Sequence, residues 1–232
     1  MHHIKTVLKN YFVNEPTIEK LEAFEPRDGF MLLDASEFKE MIDYFQAFPL
    51  YQSLIPLITD GNSNYWCIYV DGPLKSMVCY LSHDEPSLEP RFSSLSSLID
   101  AINNNADSYD ITDWEDTVFD YPSRLGSLNE LNDREIIKKL FAIMNTDTDD
   151  EIIMQAAYAI MALTPPADIE QNIYPFLNNE DMYIQERAIE MLGFHRYQPA
   201  VSRLTELTTN AQHNGQTAAK NALKRIIASQ NN

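Results

Sequence analysis

The chain has 232 residues and carries 17 basic against 35 acidic side chains, a formal charge of −18. Hydrophobic residues make up 44% and charged residues 22%, which excludes a wholly disordered, collagen-like or low-complexity chain and leaves one large domain or two small ones. So large a negative charge disfavours non-specific contact with nucleic acid or anionic membrane, and it favours a basic partner.

The amino-terminal MHHIKTVLKNYF has no long apolar core, and no window approaches about 18 uninterrupted apolar residues, so neither a signal peptide nor a membrane span is expected. Phe30, Met31, Leu32 and Leu33 form a short apolar run ended by Asp34, and Ser36 can cap a helix whose apolar side holds Phe38, Met41, Ile42 and Phe45. Three strand-length runs follow: Leu54 to Ile58, Tyr65 to Val70, and Met77 to Leu81. They are rich in β-branched and aromatic residues and are flanked by the turn formers Asp60-Gly61 and Asp71-Gly72, so three adjacent strands are predicted. Pro56 lacks an N–H and points to an edge strand or a strand start near Leu57. Trp66, Tyr65, Tyr69 and Tyr80 are read chiefly as core, with a ligand groove as the alternative. Cys67 and Cys79 are too few for a disulfide scaffold and have no zinc-ligand spacing; they fit a reduced compartment as buried thiols, with cross-strand redox chemistry as the minor reading.

Leu95, Leu98, Ile99 and Ile102 predict an amphipathic helix over 93–103 that packs on this sheet. From Phe92 to Ser123 there is no Lys or Arg, while Asp100, Asp107, Asp110, Asp113, Glu115, Asp116 and Asp120 supply seven acids. Trp114, Phe119 and Tyr121 interrupt them, which predicts an acidic surface segment held by aromatic anchors. Trp114 is either an interdomain anchor or a partner-contact residue.

Beyond Leu125 the strand signal ends, and a boundary between 1–124 and 125–232 is expected. Ile153, Ala157 and Met161 superimpose on Ile184, Ala188 and Leu192, and again on Gly215, Ala219 and Leu223, each set 31 residues after the last. A constant period of this size predicts a helical solenoid of three pairs, with first helices from Glu135 to Met144, Ile169 to Leu177 and Val201 to Thr208. The central alanine of each second helix allows close helix approach. Pro165, Pro175 and Pro199 stop or bend the chain, and Gly215 implies a frayed or turned start to the last unit. Residues 194–232 hold five basic side chains against Glu206 alone, read as a solvated capping face rather than a nucleic-acid site.

Chemistry finds little support. His83, Asp84 and Glu85 could supply a base and metal ligands, but successive strand positions point to opposite faces, and a structural role is preferred. Asp60, Gly61, Asn62 and Asn64 lack the twelve-position ligand series of a calcium loop. Nucleotide-binding, zinc-protease and hydrolase signatures are missing from the sequence, so no catalytic residue, metal or cofactor is assigned.

The segment IPLITDGNSNYWCIYVDG at 55–72, the strand after it, SHDE at 82–85 and the helix beginning near Ser94 resemble the SUKH superfamily of cell-wall-synthesis regulators and bacterial toxin-immunity proteins. The resemblance covers roughly residues 30–104; the amino-terminal portion departs from the longer family form, which has a clearer initial helical region and a Gly-containing motif before the sheet. Residues 130–228 separately resemble HEAT repeats. The resemblances imply an α+β fold, a mixed sheet with flanking helices followed by an all-α solenoid. They also imply a cytoplasmic bacterial immunity protein, not an enzyme, that neutralises a toxin with a basic surface, such as a nuclease, by protein–protein contact. The expected contact residues are Asp107, Asp110, Asp113, Trp114, Glu115 and Asp116, with Glu186 and Glu190 as a second patch. A general interaction scaffold or regulator is the alternative reading, and a small hydrolase centred on His83 and Asp84 a third.

Overall fold

The computed structural model describes residues 1–11, 13–84, 87–123 and 129–228, and the chain divides into two compact units, Met1–Tyr121 and Pro122–Asn232. The first unit is α+β. Two helices, α1 (His2–Asn10) and α2 (Glu15–Glu22), precede β1 (Met31–Leu32), α3 (Ala35–Gln46), β2 (Leu54–Thr59), β3 (Tyr65–Tyr69), β4 (Val78–Leu81), β5 (Pro90–Phe92) and α4 (Leu95–Asn104). The five strands form an open sheet in the order β1-β2-β3-β4-β5, antiparallel throughout. The amino-terminal region thus has an initial helical pair, and a glycine turn at Gly29 ahead of the sheet, neither of which was expected from sequence. Asn14, whose side chain accepts from the Thr17 N–H at 2.9 Å, starts α2, with Pro16 in its first turn.

The register explains why the central strands read as continuous apolar runs. Trp66, Ile68, Val78 and Phe92 share one face with Ile55 and Ile58, and they are buried against Ile4 and Leu8 of α1, Ile18 and Leu21 of α2, and the apolar stripe of α4. Each such side chain contributes about 1.5–3 kcal/mol on full burial. Cys67 and Cys79 stand directly opposite each other on the other face as free, buried thiols, and burial pushes the Cys67 thiol well above its usual pKa. Trp66 and Tyr69 are core, whereas Tyr65 and Tyr80 are half-buried.

Two expectations are corrected here. Pro56 lies in an internal strand, not an edge: the register shifts between Pro56 and Ile58, and β1 pairs only with Ile58 and Thr59, so no β1 partner faces the missing N–H. The cap of α3 is Asp34, not Ser36. Its carboxylate accepts from Ser36 N–H at 2.7 Å and Glu37 N–H at 2.9 Å, while Glu37 reaches back to the Asp34 N–H at 3.2 Å.

The second unit is helical: α5 (Glu130–Thr146), α6 (Asp150–Leu163), α7 (Ile169–Asn172), α8 (Met182–Phe194), α9 (Val201–Asn210) and α10 (His213–Ala228). The predicted helix from Ile169 to Leu177 is broken, α7 giving way to a 3₁₀ turn over Tyr174–Asn178 with Pro175 in its first positions. Asp149 and Asp181 cap α6 and α8. α8 packs against both α6 and α10, and Ala157, Ala188 and Ala219 are each 0% exposed. Gly215 does not fray its helix. A Cβ there would lie 2.9 Å from Gln185 Oε1 and 3.2 Å from Ile189 Cδ1, so its lack of a side chain lets α10 sit close to α8. Gln185 and Gln216 each donate from Nε2 to a carbonyl just before their own helix, Leu177 at 3.0 Å and Ala211 at 2.9 Å.

Candidate functional site

At the carboxy-terminal end of α4 a single guanidinium gathers one carbonyl of the helix and three of the residues that follow it. Arg27 Nη2 donates to Ile102 O at 2.9 Å and Asn105 O at 2.8 Å, while Nη1 donates to Ser108 O at 2.6 Å and also to Ala106 O. The same guanidinium lies 5.0 Å from the centre of the Phe30 ring. Gly29, at φ +79°, completes the Arg27–Phe30 turn, and a Cβ there would fall 1.8 Å from the Tyr109 carbonyl oxygen. The start of the acidic segment is therefore pressed onto this turn.

Asp110 then accepts from the Thr112 N–H at 2.8 Å and opens a 3₁₀ turn over Ile111–Asp113. The turn delivers Trp114 inward. Its ring stacks on Phe30 at 5.3 Å and 12°, lies 6.0 Å from Trp66, and meets Phe92 and Phe119 at 6.3 and 5.7 Å. The segment closes on Arg91, whose carbonyl accepts from Asp120 N–H at 3.0 Å and Tyr121 N–H at 3.1 Å. The Asp120 carboxylate takes the Ser93 N–H at 2.8 Å and its hydroxyl at 2.6 Å.

Between these fastenings Asp107, Asp110, Asp113, Glu115 and Asp116 are exposed. Trp114 is only 8% exposed and belongs to the first unit's own core, so its ring is not a surface residue. Its acidic sequence neighbours stay in water while the indole is held under them. Burial, then the Asp60 and Asp110 carboxylates, hold the Tyr80 phenol well above its usual pKa. The first unit has 7 basic and 21 acidic residues, a net −14, whereas the second has 10 and 14. Glu186 and Glu190 belong to the second unit, on α8. Glu186 accepts from Asn214 Nδ2 at 2.9 Å, and Glu190 is 3.4 Å from the Arg187 guanidinium.

His83 meets Asn64 through its backbone N–H at 2.9 Å and its Nδ1 at 2.8 Å, and Asn64 in turn donates to Asp60 at 2.7 Å. Asp84 lies 3.1 Å from His83 Nε2, and both side chains are mostly exposed, 51% for His83 and 81% for Asp84. Glu85 lies outside the described residues. The histidine thus joins the end of β4 to the β2–β3 turn. Lys220, Lys224 and Arg225 are exposed on α10.

Arg27 and Gly29 are absent from the residues selected by sequence, although the Asp28-Gly29 dipeptide is the same turn signal as Asp60-Gly61 and Asp71-Gly72. Replacing Arg27 by methionine keeps an unbranched apolar stem and removes every donor. It should cost the first unit about 2–3 kcal/mol, because hydrogen bonds to charged groups are worth about 1.5–3 kcal/mol each, although the Ile102 and Asn105 carbonyls keep the Asn105 and Ser108 N–H groups as partners. Urea unfolding followed by tryptophan fluorescence checks this, since both tryptophans, Trp66 and Trp114, lie in the first unit.

No family model matches the chain, and neither a curated protein nor a solved structure matches it.

Proposed function

We propose that this chain is a non-catalytic cytoplasmic immunity protein of a bacterium, which neutralises a toxin by covering its basic surface. In this reading the first unit is a SUKH-type domain, and the second is an extension of three HEAT-like helix pairs. The observation that carries the reading is the acidic segment. Five exposed carboxylates stand on a backbone fastened by Arg27, Trp114 and Arg91, so a charged surface is presented in a fixed shape with little ordering cost on binding. A nuclease-like toxin needs a basic surface for its substrate, and carboxylates can take the place of phosphates on it.

The domain assignments have their own support. A helical pair and the Gly29 turn stand ahead of the sheet, which supports the longer SUKH form as the reading of the first unit. The equal burial of Ala157, Ala188 and Ala219, each 31 residues after the last, supports repeated helix pairs.

The test is affinity capture from the native cell with two baits: the natural chain, and the variant Asp110→Asn, Asp113→Asn, Glu115→Gln, Asp116→Asn. The natural chain should retain a basic protein, and the variant about a tenth as much or less at physiological salt, with an unchanged circular dichroism spectrum. A neutral or acidic protein retained equally by both baits would instead mark a general interaction scaffold.

A further inference from the structure

The first unit also holds a cavity of about 280 Å³ between the β1 edge of the sheet and α3. Directly paired residues on antiparallel strands share a face, and the register aligns Met31, Thr59 and Tyr65 in one row across β1, β2 and β3. These three side chains line the cavity from the sheet, and Glu37, Glu40 and Met41 line it from α3. Spacings of three and four place the helix residues on one stripe, which runs on beyond the cavity to Tyr44, and Phe48, just past the end of α3, packs against Tyr44. The rings of Tyr44 and Phe48 are 4.9 Å apart and are 52% and 44% exposed, and Met31 is 39% exposed. Isolated apolar side chains on a surface are ordinary; a run of them beside a cavity marks a place where something docks.

The chemistry of the cavity narrows the occupant. Glu37 accepts from the Asp34 N–H at 3.2 Å, and Glu40 from the Ser36 hydroxyl at 3.3 Å. Among the described residues neither carboxylate forms an ion pair, since Lys39, which lies between them in sequence, bonds to Asp43 at 2.6 Å. Glu37 and Tyr65 line the same cavity, and burial, then the Glu37 charge, raise the Tyr65 phenol's pKa. The cavity therefore combines apolar walls from two methionines and a tyrosine ring with two carboxylates that form no ion pair among the described residues. Its volume falls just below the roughly 300–1,000 Å³ of small-molecule pockets, and it suits a single long side chain. A guanidinium on an aliphatic stem matches each part: the stem lies on the methionines, and the planar head can bond to carboxylates and stack on tyrosine.

We propose that this cavity receives an arginine side chain of a basic protein partner, with its guanidinium at Glu37 and Glu40 and the apolar residue beside that arginine resting on Tyr44 and Phe48. The inference rests on the acidic-recognition reading above and adds to it a specific contact outside the acidic segment.

The test is a titration of the ¹⁵N-labelled chain with N-acetyl-arginine amide, with N-acetyl-norleucine amide as the uncharged control. The arginine amide should give saturable shifts at the amides of Glu37, Gly61, Ser63 and Tyr65, with a dissociation constant on the order of 1 mM, as befits so small a ligand. The norleucine amide should bind at least about tenfold more weakly. The double variant Glu37→Gln, Glu40→Gln should weaken the arginine amide about tenfold, while its spectrum stays that of a folded chain, because glutamine preserves the reciprocal cap at Asp34. Equal responses to both amides, shifts confined to the acidic segment, or no saturable shift at all would each overturn the proposal. With the captured partner the two claims separate. Full binding by the Glu37→Gln, Glu40→Gln variant, together with loss of binding in the acidic-segment variant, overturns the cavity site alone. Retention by the acidic-segment variant overturns the reading on which it rests.

Discussion

Replacing Trp114 by alanine should cost the first unit about 3–5 kcal/mol, the range for deleting a buried aromatic ring. The ring is stacked on Phe30 and surrounded by Trp66, Phe92 and Phe119, residues drawn from the Gly29 turn, β3, β5 and the segment itself. No rearrangement of one neighbour can fill the space it leaves. Phenylalanine at the same position should cost less than about 1.5 kcal/mol, since the indole Nε1 has no hydrogen-bond partner among the described residues and only area is lost. Urea unfolding with Trp66 as the sole fluorophore measures both variants. A loss below about 0.5 kcal/mol for Trp114→Ala would mean that the segment is held from Arg27 and Arg91 without its aromatic anchor.

The second large effect belongs to the helical unit. Ala188→Asp should cost at least about 3 kcal/mol, because α8 packs against both α6 and α10 and the alanine has no exposed surface, so a carboxylate must be buried without a partner in space sized for a methyl group. Tyr183→Asp, on the same helix but 51% exposed, should change stability by less than about 1 kcal/mol. Fluorescence reports the first unit and far-UV circular dichroism is weighted toward the helical one, so a selective loss of the helical transition is the expected pattern. Under the proposed 31-residue repeat, Ala157→Asp and Ala219→Asp should act alike. A harmless substitution at any one of the three would break that equivalence.

Several of these features were legible from local sequence. The central strands were, because Asp60-Gly61 and Asp71-Gly72 bracket runs of β-branched and aromatic residues whose pattern needs no distant information. The cap of α3 was legible too: Asp34 and Glu37 have the spacing of a reciprocal box, whereas Ser36 would place Lys39 at the third helical position. The helical pair carried the same sort of signal in Asn14 and Pro16. Other features depend on contacts remote in sequence. Pro56 reads as an edge until the short β1 is seen to stop before it, and Gly215 reads as a frayed start until Gln185 and Ile189 are placed against it. Trp114 is the sharpest case. Asp113 and Glu115 argue for the surface, yet Phe30, Trp66 and Phe92 take the ring inward, and one turn leaves the acids in water while it buries the indole between them.

The central claim, that the fastened acidic segment recognises a basic protein, is tested most directly by association kinetics with the captured partner at two salt concentrations. The natural chain should associate about tenfold faster than the variant Asp110→Asn, Asp113→Asn, Glu115→Gln, Asp116→Asn at low salt, and the difference should shrink at high salt as the charges are screened. Equal association rates at both salt concentrations would contradict it.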